Sequence, residues 1–346
     1  MKMRKRINCL LLCIVISCSA AAQEFANAGD YMSYIVKTEE AISAKYISYM
    51  SGASHGKSLR KVEKRRQDLM NSIYETRFKV HEMPSYKGDK TLRDASVNYL
   101  KMMYSVFNED YGKIVNMEEI AEQSYDNMEA YLMVQEKANE KLKEAGVARS
   151  AVWDQFAKKY NVTVVDQTSL LDMKLEKAEK VNNYYHQLYL IFFKSHKQEM
   201  YLIAAVDTKN VNSIEQNRNS LLKFTTEGLA KLQDTKPFEN DARLIVACRQ
   251  VLQFLQDEAN DKVGVMTDFI MKSENFEQVK KAFNAIPASK RTQQDINNYN
   301  KAIDAMNKGV NQFNFTNKML NEKRNDILKT WNNAVQSFFD EHMPYR

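Results

Sequence analysis

Few residues in this chain could carry chemistry. The histidines are His55, His81, His186, His196 and His342. A di-metal site in a helical bundle needs Glu-x-x-His pairs, because a three-residue step puts both ligands on one helix face. No histidine here follows a glutamate by three residues. No His-x-x-x-His or Cys-x-x-Cys occurs either, which removes the usual structural zinc patterns. The nearest arrangement is the reverse one, His196-Lys197-Gln198-Glu199. On a helix His196 and Glu199 share a face. They can hold one metal ion, or form an intrahelical hydrogen bond on a polar stripe. Glu118/Glu119 and Glu109/Asp110 are adjacent in sequence, so they point apart on a helix and suit a helix dipole better than acid–base work. Neither a Gly-x-Ser-x-Gly elbow nor a glycine-rich phosphate loop is present. These observations assign no catalytic residue and no cofactor.

The N-terminus says where such chemistry would take place. Lys2, Arg4, Lys5 and Arg6 precede an apolar run from Ile7 to Ser17, and Ala20-Ala21-Ala22 supplies small residues before Gln23. This is the pattern of a secretory signal peptide over residues 1–22. Cleavage after Ala22 would release a soluble protein. Val15-Ile16-Ser17-Cys18 also satisfies a lipobox, in which Cys18 would be lipidated and anchor the chain without a spanning helix. The expected location is the periplasm, the outer membrane or the cell surface, where ATP, NAD and nucleic acid are poor candidate ligands. After cleavage at Ala22 only Cys248 remains, so no intramolecular disulfide can form. Its neighbours Leu244-Ile245-Val246-Ala247 mark it as a small buried hydrophobe.

The charge balance agrees. The chain has 50 Lys and Arg against 44 Asp and Glu, and four of the basic residues lie in the signal segment. The rest is close to neutral, with no electrostatic case for nucleic acid. Arg60, Lys61, Lys64, Arg65 and Arg66 form one basic cluster at a helix start; it reads as a solvated face, or as a contact for acidic lipid headgroups.

The elements that must position these residues are helices. Nine Gly and four Pro leave few breakers, and apolar residues recur at three and four, as in Leu92, Ala95, Tyr99, Met102 and Val106. The expected helices end at Gly52–Gly56, at Pro84–Gly88 and near Gly112, with an interruption near Gly146. Asn161–Gln167 is the candidate linker. Asp89 sits where an N-cap belongs. Shifting residues 49–112 by 152 positions gives 14 identities, among them Tyr49/Tyr201, Glu63/Glu215, Arg66/Arg218, Asp89/Asp241 and Gly112/Gly264. The match resumes at a shift of 182, with Asn139-Glu140-Lys141 over Asn321-Glu322-Lys323 and Phe156 over Phe338. The second half therefore carries an insertion between about Met266 and Lys290, read as an extra short helix over 275–285 ended by Pro287. The expected fold is all-α: two tandem up-down bundles of about four helices each, over 23–163 and 164–346. The seam between them is a favoured place for a ligand. Tyr184, Tyr185, Leu188, Tyr189, Phe192 and Phe193 form a dense aromatic stripe, read as core with hydroxyls at its rim, or as a groove for glycan, peptide or lipid.

Two resemblances bear on this. Glu63-Lys64-Arg65-Arg66, Met83-Pro84, Gly88-Asp89, Leu92-Arg93-Asp94, Asn108-Glu109-Asp110-Tyr111, Glu118-Glu119-Ile120 and Ser124–Glu129 together resemble a family of uncharacterised bacterial surface proteins named after a spirochaete member. The resemblance covers about residues 60–145. It implies an exported, surface-associated helical protein and transfers no catalytic residue. The His196/Glu199 spacing is similar to the Gly-x-His-x-x-Glu motif of the imelysin family, which are exported, duplicated helical bundles linked to iron uptake. Lys194 stands at the glycine position here, so the similarity is one of architecture.

The leading expectation is a non-enzymatic envelope protein that binds a partner or scaffolds an assembly. The alternative is a periplasmic protein binding a metal or small ligand at the seam, with His196 and Glu199 first in line. An envelope hydrolase with a dispersed site comes third.

Overall fold

A computed structural model describes residues 25–54, 59–164 and 170–344. The signal segment with Cys18, His55 and the linker beyond Val164 lie outside the described residues, as do the side chains of Glu118 and Glu119. The described chain is all-α and contains no strand. Its helices are α1 (Ala28–Ser54), α2 (Leu59–His81), α3 (Thr91–Ser105), α4 (Tyr111–Ala121), α5 (Tyr125–Lys159), α6 (Leu170–Asp207), α7 (Val211–Asp234), α8 (Arg243–Asp257), α9 (Val263–Ala285) and α10 (Gln293–His342). None is long and apolar enough to cross a membrane.

The duplication is visible in local geometry. From the start of α2 to the start of α4 the shift of 152 holds residue by residue. Helices α3 and α8 are both 15 residues long. Each runs without a break through one π-helical turn, Val106–Asp110 or Glu258–Lys262, into α4 or α9. A bridge joins Tyr86 to Asp89, and its counterpart joins Phe238 to Asp241. The residues inside each bridge have positive φ: Lys87 and Gly88, then Glu239 and Asn240. Gly112 and Gly264 therefore do not end helices. They follow the π turns inside continuing ones, because a lone glycine costs only about 1 kcal/mol and packing overrides it. For the same reason α5 passes through Gly146; the break falls instead before Ser124, whose hydroxyl accepts the Asn127 amide as an N-cap.

A π turn disturbs the regular hydrogen-bond ladder. In both repeats an arginine from the preceding helix meets a carbonyl inside it. Arg66 Nη1 donates to Phe107 O at 2.5 Å, and Arg218 Nε donates to Ala259 O at 2.7 Å. Glu63 and Glu215 pair with these arginines one turn away. The basic cluster is thus partly structural. Arg66 is buried and Arg65 donates to Ser48 O, which leaves Arg60, Lys61 and Lys64 exposed.

The register of α1 against α6 differs by one residue. Tyr31 donates to Pro84 O and Tyr184 to Lys236 O, a shift of 153 within the helices. Buried Ile35 and Tyr49 then correspond to buried Leu188 and Leu202, while Tyr201 is exposed. The identity Tyr49/Tyr201 is therefore not a structural pair, because the connection after α6 is one residue shorter than the one after α1.

Two hydrophobic cores result. One gathers residues from Ala28 to Ala157, including Phe107 and Phe156. The other takes Phe192, Leu252 and Phe338, together with Ala121, Met128 and Leu132 from the first half. The boundary near residue 163 is thus not the packing boundary, since α4 and α5 lend their adjoining ends to the second core. The insertion also differs from expectation. Residues 275–285 are the far half of α9, and α10 begins early to pair with it, so no separate short α-helix forms there. No residue from Met271 to Lys301 is buried; Phe283 and Tyr299 stack at 4.4 Å, with Arg291 over Phe283.

Asp89 and Asp241 act as latches. Asp89 accepts the Thr91 amide and also holds Lys159 Nζ (2.6 Å) and Tyr160 OH (3.1 Å) at the end of α5. Asp241 accepts the Arg243 amide and meets His342 Nε2 (2.9 Å) at the end of α10. Burial alone would raise the Asp89 carboxyl, but the bonds from Lys159, Thr91 and Tyr160 outweigh it and hold the group well below the usual range. Neither aspartate is the expected N-cap: Lys90 and Ala242 hold that position without a side-chain cap bond, and each aspartate lies one residue before it, where its longer-range bonds become possible. Asp89→Ala and Asp241→Ala are each expected to cost about 2–3 kcal/mol in urea denaturation. Because the folded-state pKa of Asp89 is depressed, its share is present at neutral pH. It should fade as the pH falls through and below the ordinary carboxylate range.

Candidate functional site

Helix α6 is the wall between the two repeats. Its inner face enters the second core through Val181, Leu188 and Leu202. Its other face looks onto a cleft of about 700 Å³. Tyr49, Tyr131 and Asn139 line it from the first repeat; Asn182, Tyr189 and His196 line it from α6, and Trp331 from α10. The whole aromatic stripe packs on the second core, and Tyr185, Tyr189, Phe192 and Phe193 also reach the cleft. His186 also lines it, and burial pushes its pKa down to about 4, so it is neutral.

His196 lies at the end of a ring stack. Trp331 stacks on Phe192 at 4.5 Å and Phe192 on His196 at 5.3 Å. The His196 side chain is 24% exposed, and its Nδ1 lies 3.4 Å from Glu199 Oε2 without hydrogen-bond geometry. The spacing read from sequence thus brings His196 and Glu199 onto one face, as expected.

Behind His196 the fold assembles two residues that pattern reading did not single out. Glu199 is 1% exposed and Glu258, the first residue of the second π turn, 2%. Arg324 from α10 donates through Nε to Glu199 Oε1 at 2.5 Å and through Nη2 to Glu258 Oε1 at 2.7 Å. Arg324 Nη1 donates to Asn321 Oδ1. Glu258 Oε2 is buried without a hydrogen-bond partner. Burial, and then the negative charge of Glu199, push the Glu258 carboxyl up to about 8 against the pull of Arg324. At Glu199 burial also raises the pKa, but His196, Arg324 and Glu258 outweigh it and the group is lowered. The two carboxyls are thus pushed in opposite directions, Glu258 toward its protonated form and Glu199 toward its ionised one. A metal ion held by His196 and Glu199 would have to compete with Arg324, which already supplies a cation to that carboxylate.

A signal for Glu258 and Arg324 does exist in the sequence. At the shifts of 152 and 182 they fall over Val106 and Leu142, and Glu199 falls over Tyr46 in the register of α6 on α1. Val106 is buried, and Leu142 and Tyr46 pack against the first core. Charged residues stand in one repeat where the other has core residues.

A second group, Asp241, Glu341 and His342, brings three ligand-type side chains close together. Arg243 already pairs with both Asp241 and Glu341. The first repeat builds the equivalent latch from Asp89, Lys159 and Tyr160, so this group ties helix ends together. Cys248 is buried as expected, and burial raises its thiol pKa to about 12.

Removing one member of a buried ion cluster strands a charge, whereas replacing all of it with apolar groups does not. Arg324→Leu alone should therefore cost about 3–5 kcal/mol. The triple change Glu199→Tyr, Glu258→Val, Arg324→Leu, which copies the first repeat, should be near neutral or stabilising, both read by urea denaturation. Comparison of this chain with protein families, with curated proteins and with solved structures finds no match.

Proposed function

We propose that this chain is an exported, non-enzymatic binding module of the cell envelope, and that its ligand sits in the cleft between its two repeats. The observation that carries the reading is the cleft itself. Its volume falls in the range of small-ligand sites, and its walls combine aromatic rings with carboxamides and two imidazoles. Such a wall offers stacking faces and paired donors and acceptors. The basic, apolar and small-residue order of residues 1–22 supports export, and Cys18 offers a lipid anchor as the alternative to release at Ala22.

Two measurements test this. Titration with the neutral fluorophore N-phenyl-1-naphthylamine should give saturable binding with energy transfer from Trp331, and Tyr189→Ala should weaken it about fivefold, or about 1 kcal/mol. Absence of saturable binding, or equal binding by the variant, would count against the cleft. Intact mass of the protein from the soluble and membrane fractions of its native host should show a start at Gln23 or an acylated Cys18. A chain still beginning at Met1 would end the export reading.

A further inference from the structure

The first repeat contains a hollow of its own. It measures about 360 Å³ and lies between α1, α3 and α5, with Glu176 and Glu179 of α6 at its rim. It shares only Asn139 with the cleft between the repeats. Ile42, Leu100, Met103, Phe107 and Leu142 give it an apolar lining. The second repeat treats the corresponding positions differently. Glu39 and Arg149 pair at 2.7 Å, whereas their counterparts Phe192 and Trp331 are buried and stack at 4.5 Å. Gly146 corresponds to Leu328, which packs against the second core. A Cβ at Gly146 would meet only Tyr99, at 3.9 Å, so the missing side chain leaves open space. The helices are built equally well with two rings and a leucine, and so do not themselves demand this ion pair and glycine.

The polar groups of the hollow are not all satisfied. The Arg149 guanidinium lies over the rings of Tyr99 (5.1 Å) and Trp153 (5.5 Å) and gives Nη2 to Glu39. Its Nε is buried without a hydrogen-bond partner. A buried donor left unmet is costly, so this position suits an acceptor brought from outside. At the rim Glu176 is taken by Lys180 at 2.6 Å. Lys143 and Glu179 are exposed and form no ion pair among the described residues. One unanswered cation, one unanswered anion and one buried donor therefore surround an apolar space.

We propose that this hollow is a second binding site, for a small amphiphilic zwitterion: an apolar amino acid or dipeptide with free ends. The apolar side chain takes the space that Gly146 leaves open, against Leu100, Met103 and Phe107. The ammonium group meets Glu179, the carboxylate meets Lys143, and a ligand oxygen accepts from Arg149 Nε. A purely apolar guest would leave Arg149 Nε unmet, and a simple cation or anion would answer only one of the two rim charges. The volume lies within the range of small-ligand sites. The site stands without any ligand in the cleft between the repeats.

Equilibrium dialysis of the full chain against tritiated L-leucyl-L-phenylalanine tests this. The parent chain should bind the dipeptide saturably at one site. Acetylating its amino end, or amidating its carboxyl end, should each weaken binding about fivefold, the upper range for an exposed ion pair. Lys143→Gln together with Glu179→Gln should weaken it about tenfold. Gly146→Leu, which copies the second repeat, should abolish binding without lowering the thermal midpoint, because leucine is the better helix former. Tyr189→Ala, in the cleft between the repeats, should bind the dipeptide as the parent does. No saturable binding up to millimolar dipeptide would overturn the proposal, as would binding that survives Gly146→Leu or is lost in Tyr189→Ala. Equal binding of the capped dipeptides would overturn the zwitterion as the ligand class. If Gly146→Leu does not fold, the exposed pair Lys143→Gln and Glu179→Gln decides in its place, and unchanged binding there sinks the site.

Discussion

A carbonyl set free inside a helix has to find a donor, and much of this molecule is arranged around meeting that need twice. The π turns at Val106–Asp110 and Glu258–Lys262 each interrupt the regular ladder in the middle of a long helix. Arg66 and Arg218 reach in from the preceding helix to supply the donor. That bond ties α2 to α3 and α7 to α8 at one height. The aspartate latches do the same at the other end, joining the start of α3 to the end of α5 and the start of α8 to the end of α10. A glutamate partner and a latch residue complete each repeat, although the chemistry of the latch has drifted from tyrosine and lysine to histidine and glutamate.

Once the frame is held in this way, the residues at the first position of the π turn and opposite it are free to change. In the first repeat they are apolar or phenolic and merge with the core. In the second they are two glutamates sealed from water beneath the cleft and a half-buried arginine that joins them. The duplicated fold thus contains its own comparison: the same backbone arrangement with and without a buried charge cluster. This comparison separates what the helices require from what the second repeat adds. The added group lies against His196, one of the two histidines that line the space between the repeats.

The insertion illustrates a different freedom. Thirty extra residues lengthen α9 and α10 together, so each new helical turn finds its partner in the other helix. The extension buries no residue against the rest of the protein, and rings stacked along the pair hold it.

The all-α class, the duplication, the two aspartates and the shared face of His196 and Glu199 were legible in the residues themselves. Helix periodicity is local, and a repeat shift is arithmetic. Helix ends were less so. Gly112, Gly146 and Gly264 read as breakers, yet the helices run through them because packing outweighs about 1 kcal/mol of propensity. The one-residue slip between α1 and α6 was hidden, since identities such as Tyr49/Tyr201 carry no information about which face is buried. The partners of Glu199 depended wholly on tertiary structure. Glu258 lies 59 residues further along the chain and Arg324 a further 66, and only the packing of α6, the π turn and α10 brings them within hydrogen-bond reach. The sequence alone determined which residues could ionise. Their burial, and with it which carboxyl keeps its proton, was decided by the fold, because a charge's cost is set by the water and counter-charges around it.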